Sequence, residues 1–126
     1  MSRQAFTDVD LPPAGGPYSA AVRIGNIVAI AGQCGYLADR SLAPGGLEPQ
    51  VRRAFENLMT ALRSAGCSEA DVITVNVFLA DGDDFDAMNA IYREYFSEPG
   101  PARTTITAGL RPGVLFEVSA QAVVGG

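Results

Sequence analysis

Few residue types in this chain are available for chemistry, because the sequence contains no His, no Lys and only two Cys, Cys34 and Cys67. Without His, a Ser-His-Asp or Cys-His arrangement and a His-based metal site are impossible. Without Lys, neither a Schiff base nor a P-loop lysine is available. Two cysteines also make neither a structural zinc site nor a disulfide framework. Any reaction must therefore use arginine, carboxylates, hydroxyl groups, backbone amides and water.

Two charged residues stand in segments that are otherwise suited to β-strands. Arg103 follows Pro101-Ala102, and a planar guanidinium matches a carboxylate through two parallel hydrogen bonds. Glu117 stands between Phe116 and Val118. Residue chemistry alone favours a surface ion pair for Arg103, and Glu117 is equally consistent with a solvated strand face.

The elements that position these residues begin after an N-terminal segment, residues 1–18, which we expect to be irregular because of its Pro and Gly content. The apolar runs 20–24 and 27–32, separated by Gly25-Asn26, predict a β-hairpin. A loop rich in Gly and Pro follows at 35–46.

Two helices and three further strands are predicted downstream. The spacing of Val51, Phe55, Leu58 and Leu62 predicts a helix over 49–65, ended by Gly66. A β-branched run predicts a strand over 71–80. A second helix, capped by Asp83 or Asp84, is expected to reach about Phe96. The remaining predicted elements are strands near 103–108 and 114–123, joined by a turn at 111–113.

The order ββαβαββ predicts a single α+β domain, residues 1–126, with two helices on one face of a sheet. Strands 27–31 and 72–80 are apolar at nearly every position and therefore need cover on both faces. A second copy of the chain is the simplest cover, so we expect an obligate oligomer.

Composition limits the partners and the compartment. The net charge of −5 argues against a phosphate backbone as partner, so no nucleic acid is expected. No apolar run approaches the ~20 residues that a membrane span requires, and the N-terminus lacks the core of a signal peptide. A soluble cytoplasmic protein is the expectation.

Seven short motifs lie along nearly the whole chain: GPYS at 16–19, AGQ at 31–33, ENL at 56–58, VNVFLAD at 75–81, DFDAMNAIYREYF at 84–96, PARTT at 101–105 and FEVSA at 116–120. In their order and approximate spacing, this set resembles the RidA (YjgF/YER057c) family. The resemblance implies a chorismate-mutase-like homotrimer around a central β-barrel, with the helices outside and the sites between subunits.

The resemblance also implies an activity. Family members hydrolyse 2-imino acids such as 2-iminopropanoate and 2-iminobutanoate, or their enamine tautomers, to 2-keto acids and ammonia. They need no cofactor and no metal. The implied substrates are therefore small 2-imino acids, and the implied products are small 2-keto acids.

The residues implied for that activity fall into two groups. Arg103 would bind the substrate carboxylate, Glu117 would position or deprotonate the attacking water, and Thr105 would assist them. Tyr18, Gly32, Ala31 and Asn89 would line the substrate pocket, the glycine through a closely approaching backbone N–H. Gln33 is a weaker candidate than these.

Two departures from the family pattern leave alternatives open. This chain has Ala31 where well-known deaminases carry Ser, and Thr105 where they carry Cys. Both would place it on a side branch of the family. The first alternative is a regulatory trimer that binds small carboxylates with little chemistry. A less favoured alternative is an endoribonuclease, against which the acidity and the lack of His argue.

Overall fold

A six-stranded mixed β-sheet carries both helices on one face. The computed structural model describes residues 2–125. The strands are β1 (Gln4–Phe6), β2 (Ala21–Ile24), β3 (Ile27–Cys34), β4 (Val72–Leu79), β5 (Ala102–Thr107) and β6 (Phe116–Val123). The helices are α1 (Leu47–Ser64) and α2 (Phe85–Tyr92). The predicted α+β class and the placement of the helices are confirmed.

The prediction that residues 1–18 are irregular was wrong for β1, so the observed order is βββαβαββ and not ββαβαββ. Strand β1 pairs antiparallel with β2, with Ala5 opposite Val22. Only three residues long and mostly exposed, β1 has no alternation of apolar and polar side chains. Its backbone hydrogen bonds to β2 define it as a strand, and the amino-acid pattern does not reveal them.

Helix α1 forms as its apolar spacing predicts. Its four spaced apolar residues, Val51, Phe55, Leu58 and Leu62, are all fully buried. Each such burial contributes roughly 1.5–3 kcal/mol. The helix begins two residues before Pro49 and ends in a Schellman motif, where Gly66 adopts a φ of 87° and the Cys67 N–H donates to the Leu62 carbonyl at 2.8 Å.

Helix α2 is shorter than expected. It begins at Phe85, after a 3₁₀ turn at Gly82–Asp84 that the Asp81 side chain caps, and it ends at Tyr92 instead of near Phe96. Beyond Tyr92 the backbone tightens into turns with bonds between residues three apart. These turns bring the Tyr95 ring to 4.8 Å from the Phe55 ring, so packing against α1 ends the helix early.

The strand order is β1-β2-β3-β6-β4-β5, with β6 in the middle of the sheet. All neighbours are antiparallel except β4 and β5, which are parallel and joined through α2. The face opposite the helices is uncovered in the single chain. Two apolar side chains on it, Ile27 and Ile106, are 65% and 48% exposed.

Neither helix within residues 2–125 is both long enough and apolar enough to cross a lipid bilayer.

Candidate functional site

Arg103 lies on the edge strand β5 and projects toward α2. It pairs in register with Val75, which is fully buried under the helices, so its side chain shares the helix-bearing face. The guanidinium carbon lies 4.6 Å from the centre of the Tyr92 ring and 5.6 Å from that of Phe85. Within residues 2–125, no carboxylate oxygen lies within 4.0 Å of this guanidinium.

Three buried polar atoms in the described part of the chain have no hydrogen-bond partner, and all belong to the elements beside Arg103. They are Asn89 Oδ1 and Tyr92 Oη on α2, and Thr105 Oγ1 on β5. Buried polar groups are nearly always bonded, so unsatisfied ones need an explanation. A bound polar ligand would supply it. We call Arg103, Thr105, Asn89 and Tyr92 the arginine cluster.

Tyr92 was not among the candidate residues from the sequence. Burial raises the pKa of its hydroxyl, against the opposing effect of the Arg103 charge. The hydroxyl therefore remains a hydrogen-bond donor near neutral pH. Its position one helical turn after Asn89 is the signal that could have identified it.

The other candidate residues line a separate cavity of about 360 Å³. Tyr18, Ala31, Gly32 and Glu117 contribute to its walls. The Tyr18 side chain is 53% exposed, and its hydroxyl accepts a hydrogen bond from the Gly15 backbone N–H at 3.1 Å. We call this space the glutamate cavity.

Gly32 provides the space for the Glu117 carboxylate. A β-bulge shifts the register of β3 against β6 between Ile30 and Gln33. A Cβ on Gly32 would collide with the Glu117 carboxyl group. The lack of a side chain at position 32 therefore leaves room for the Glu117 carboxyl group. The expected role of Gly32, the close approach of its backbone N–H to a ligand, is a separate one.

Cys34 contacts Glu117 directly. The two residues are paired across β3 and β6, and the Cys34 Sγ donates to Glu117 Oε1 at 3.4 Å. Burial raises the pKa of the thiol to about 12, helped by the Glu117 charge and opposed by the charges of Arg40 and Arg111. Cys34 therefore stays a protonated donor that orients the carboxylate.

The arginine cluster and Glu117 occupy opposite faces of the sheet. Glu117 pairs with Phe78, whereas Arg103 pairs with Val75, and residues an odd number of positions apart on β4 point to opposite faces. Arg103 does not line the glutamate cavity. One chain therefore places the candidate residues in two separate groups, one on each face of the sheet.

The remaining sequence candidates have local roles. Gln33 is buried, and its Nε2 donates to the Ala31 carbonyl at 3.2 Å. Ala31 itself is half-buried at the cavity wall. Within residues 2–125 there is no group of three or more Cys, Asp or Glu side chains arranged to hold a metal ion.

The family model described as endoribonuclease L-PSP matches residues 9–124. Among curated relatives, the goat protein named 2-iminobutanoate/2-iminopropanoate deaminase is 38% identical over 127 residues, covering 99% of this chain and 93% of the relative. Protein mmf2, mitochondrial, from Schizosaccharomyces pombe is 45% identical over 98 residues, covering 78% of this chain and 77% of the relative.

Solved structures show the same fold. RidA from an Antarctic Psychrobacter species superposes with a TM-score of 0.91 at 34% identity, covering 96% of this chain and 99% of that one. E. coli TdcF with bound serine gives a TM-score of 0.89 at 29% identity, covering 97% and 99%.

Proposed function

The chain belongs to the endoribonuclease L-PSP family, which is the YjgF/RidA family, and from that membership we propose that it hydrolyses 2-imino acids such as 2-iminopropanoate and 2-iminobutanoate. The observation that carries the proposal is an Arg103 guanidinium that has no carboxylate within 4.0 Å among residues 2–125 and lies beside three buried polar atoms without partners in the same range. Such a cluster suits a small carboxylate that also carries polar atoms. Relatives that are 35–38% identical are named for this deaminase activity.

Arg103 binds the substrate carboxylate in this proposal. Its two parallel N–H groups match the two carboxylate oxygens, and the fork cannot lose its proton near neutral pH. The aromatic ring of Tyr92, 4.6 Å away, limits the orientations of the guanidinium. The Tyr92 and Thr105 hydroxyls and the Asn89 amide oxygen then bond to the imine end of the substrate or to the attacking water.

Glu117 takes a proton from water as the water oxygen adds to the imine carbon. The imine nitrogen takes a proton from solvent in the same step, and Glu117 then returns its proton to the carbinolamine nitrogen. As the C–N bond breaks, the hydroxyl group loses its proton to solvent, and ammonia and the 2-keto acid leave. The mechanism draws only on side chains and water. Cys34, which donates to Glu117 at 3.4 Å, keeps one carboxylate oxygen oriented so that the other faces the cavity.

We propose a homotrimer in which each site lies between two protomers, with the arginine cluster of one against the glutamate cavity of the next. Two observations support the shared site: Arg103 and Glu117 lie on opposite faces of the sheet, and apolar side chains on the open face are exposed. The central barrel would cover that open face. The cytoplasmic location stays a prediction, since one relative carries a mitochondrial name.

A non-catalytic carboxylate-binding trimer is the second candidate. The E. coli TdcF structure was solved with bound serine, a small carboxylate, and Ala31 supplies no hydroxyl at its own position on the cavity wall. Saturable binding of 2-keto acids without turnover of any imine would favour this non-catalytic trimer over the deaminase. RNA cleavage has less support, because the chain has no His for the usual acid–base pair.

The test generates 2-iminobutanoate in situ by oxidation of 2-aminobutanoate and measures how much escapes capture by semicarbazide. We expect the wild-type protein to accelerate loss of the imine. Removing two charge-assisted hydrogen bonds in Arg103→Gln should lower kcat/KM by roughly 100-fold or more. Arg63→Gln is the matched control, because Arg63 lies exposed on α1 and, among residues 2–125, its side chain hydrogen-bonds only to Thr60. Equal imine loss with and without the protein would refute the proposal.

A further inference from the structure

Two arginines at the glutamate cavity have no part in the proposed reaction. Arg40 and Arg111 both line it, together with the single acidic residue Glu117. Within residues 2–125, neither arginine lies within 4.0 Å of a carboxylate. The cavity walls therefore carry two positive charges and one negative charge, which leaves a net attraction for an anion.

The surrounding chain makes room for Arg40 and holds it in place. A Cβ on Gly15 would collide with the Arg40 guanidinium. That guanidinium donates to the Pro13 carbonyl and lies 5.0 Å from the centre of the Tyr36 ring. The backbone of Arg40 has a φ of 69°, a left-handed conformation that disfavours residues other than Gly, Asn and Asp. These contacts hold the Arg40 guanidinium at the cavity wall.

Arg111 stands on a turn that α1 holds in place. The Val114 N–H donates to the Arg111 carbonyl at 3.0 Å, which closes the turn. Gln50 on α1 donates to the Gly113 carbonyl at 3.0 Å and accepts from the Leu115 N–H at 2.9 Å. The side chain of Arg111 is exposed and has no hydrogen-bond partner among the described residues. The backbone of Arg111 is thus held in place, while its guanidinium remains available to bind an anion.

We propose that Arg40 and Arg111 bind a second carboxylate on the substrate, so that the preferred substrates are 2-imino dicarboxylic acids. This inference rests on the proposed function. Arg103 of one protomer would bind the carboxylate next to the imine carbon, and the arginine pair of the next would bind the distal carboxylate. The reaction itself is unchanged: water adds at the imine carbon, the C–N bond breaks, and a 2-keto dicarboxylic acid and ammonia form.

The test compares two substrates that differ only at the distal end. The imines 2-iminoglutarate and 2-iminopentanoate, generated by oxidation of glutamate and norvaline, carry a carboxylate and a methyl group there. We expect kcat/KM to favour 2-iminoglutarate by roughly tenfold, the value of about one charge-assisted hydrogen bond. The preference should disappear in the double variant Arg40→Asn, Arg111→Gln. Asparagine suits the left-handed backbone, so the first change removes charge without adding strain.

A binding measurement separates this inference from the proposed function. Calorimetry with 2-oxoglutarate and 2-oxopentanoate should show the same preference, lost in the double variant and kept in Arg63→Gln. If the protein hydrolyses 2-iminopentanoate but binds 2-oxoglutarate no better than 2-oxopentanoate, the second carboxylate site is overturned and the deaminase proposal stands. Preferential binding of 2-oxoglutarate without turnover of either imine would support the site and overturn the deaminase proposal.

Discussion

Arg103 and Glu117 project from opposite faces of the same β-sheet. The register shows this directly, because Arg103 is paired with Val75 and Glu117 with Phe78. A small molecule cannot contact both side chains in one chain. If both take part in one reaction, as we propose, they must come from different protomers.

Mixed assemblies therefore provide a direct test of site sharing. Arg103→Gln and Glu117→Gln should each be inactive alone, but co-expressed chains should regain activity. With random assembly, about a quarter of the sites would pair an intact arginine with an intact glutamate, so we expect about a quarter of wild-type imine turnover. Co-expression of Arg103→Gln with the double variant Arg103→Gln, Glu117→Gln is the control and should restore nothing. Absence of recovery in properly mixed assemblies would contradict shared sites.

Gly32→Ala should damage the site through Glu117. The added methyl group would collide with the Glu117 carboxylate, and such overpacking costs about 1–3 kcal/mol. We expect at least a tenfold loss of imine turnover and a lower melting temperature. Gly109→Ala is the matched control, because a Cβ there meets no atom within 4 Å.

The same substitution can be tested for coupling. If the collision with Glu117 is the cause, Gly32→Ala should cost little additional stability in a Glu117→Ala background, as urea unfolding would show. If Gly32→Ala lowers the free energy of unfolding equally in both backgrounds, the damage does not come from the collision with Glu117.

Tyr92→Phe should lower activity without lowering stability. The hydroxyl is buried without a partner among residues 2–125, so its removal should leave the melting temperature unchanged or raised. The ring beside Arg103 is retained. If the hydroxyl bonds to substrate, kcat/KM for 2-iminobutanoate should fall by roughly tenfold. Unchanged turnover would show that Tyr92 acts only through packing.

The Cys34 thiol should titrate far above the usual range. Because burial beside Glu117 raises its pKa to about 12, the thiolate fraction is small at neutral pH and should still be rising at pH 10. In a Cys67→Ser variant, the rate of alkylation by iodoacetamide should increase about tenfold per pH unit from 7 to 10. Mass spectrometry of the labelled protein measures this rate. A plateau near pH 9 would indicate an ordinary thiol.

The elements that the sequence predicts well are those with a strong internal pattern. Helix α1 follows from four apolar residues on one face, all of which are buried. Strand β1 was missed because its pairing with β2 is a long-range property that three residues cannot encode. The early end of α2 was missed for a related reason, since it depends on the packing of Tyr95 against Phe55.

The candidate site divides in the same way. Arg103, Glu117, Asn89 and Thr105 became candidates through short motifs, whereas Tyr92 and Arg40 did not. Tyr92 resembles any buried aromatic residue until its hydroxyl is found without a partner. Arg40 resembles any loop arginine until its left-handed backbone and the space beside Gly15 are known. The Tyr92 hydroxyl without a partner among residues 2–125 and the left-handed backbone of Arg40 are geometric signals, and in the sequence only the spacing of Tyr92 from Asn89 could have marked either residue.

The central position of β6 has a consequence for biosynthesis. Strands β3 and β4 are never neighbours, because β6 lies between them and bonds to both. While the ribosome is still making residues 116–123, both strands have an unpaired edge facing the gap. The nascent chain can form α1 early but cannot close its sheet until residues 116–123 have emerged from the ribosome, so the two open strand edges stay exposed to chaperones and aggregation until then.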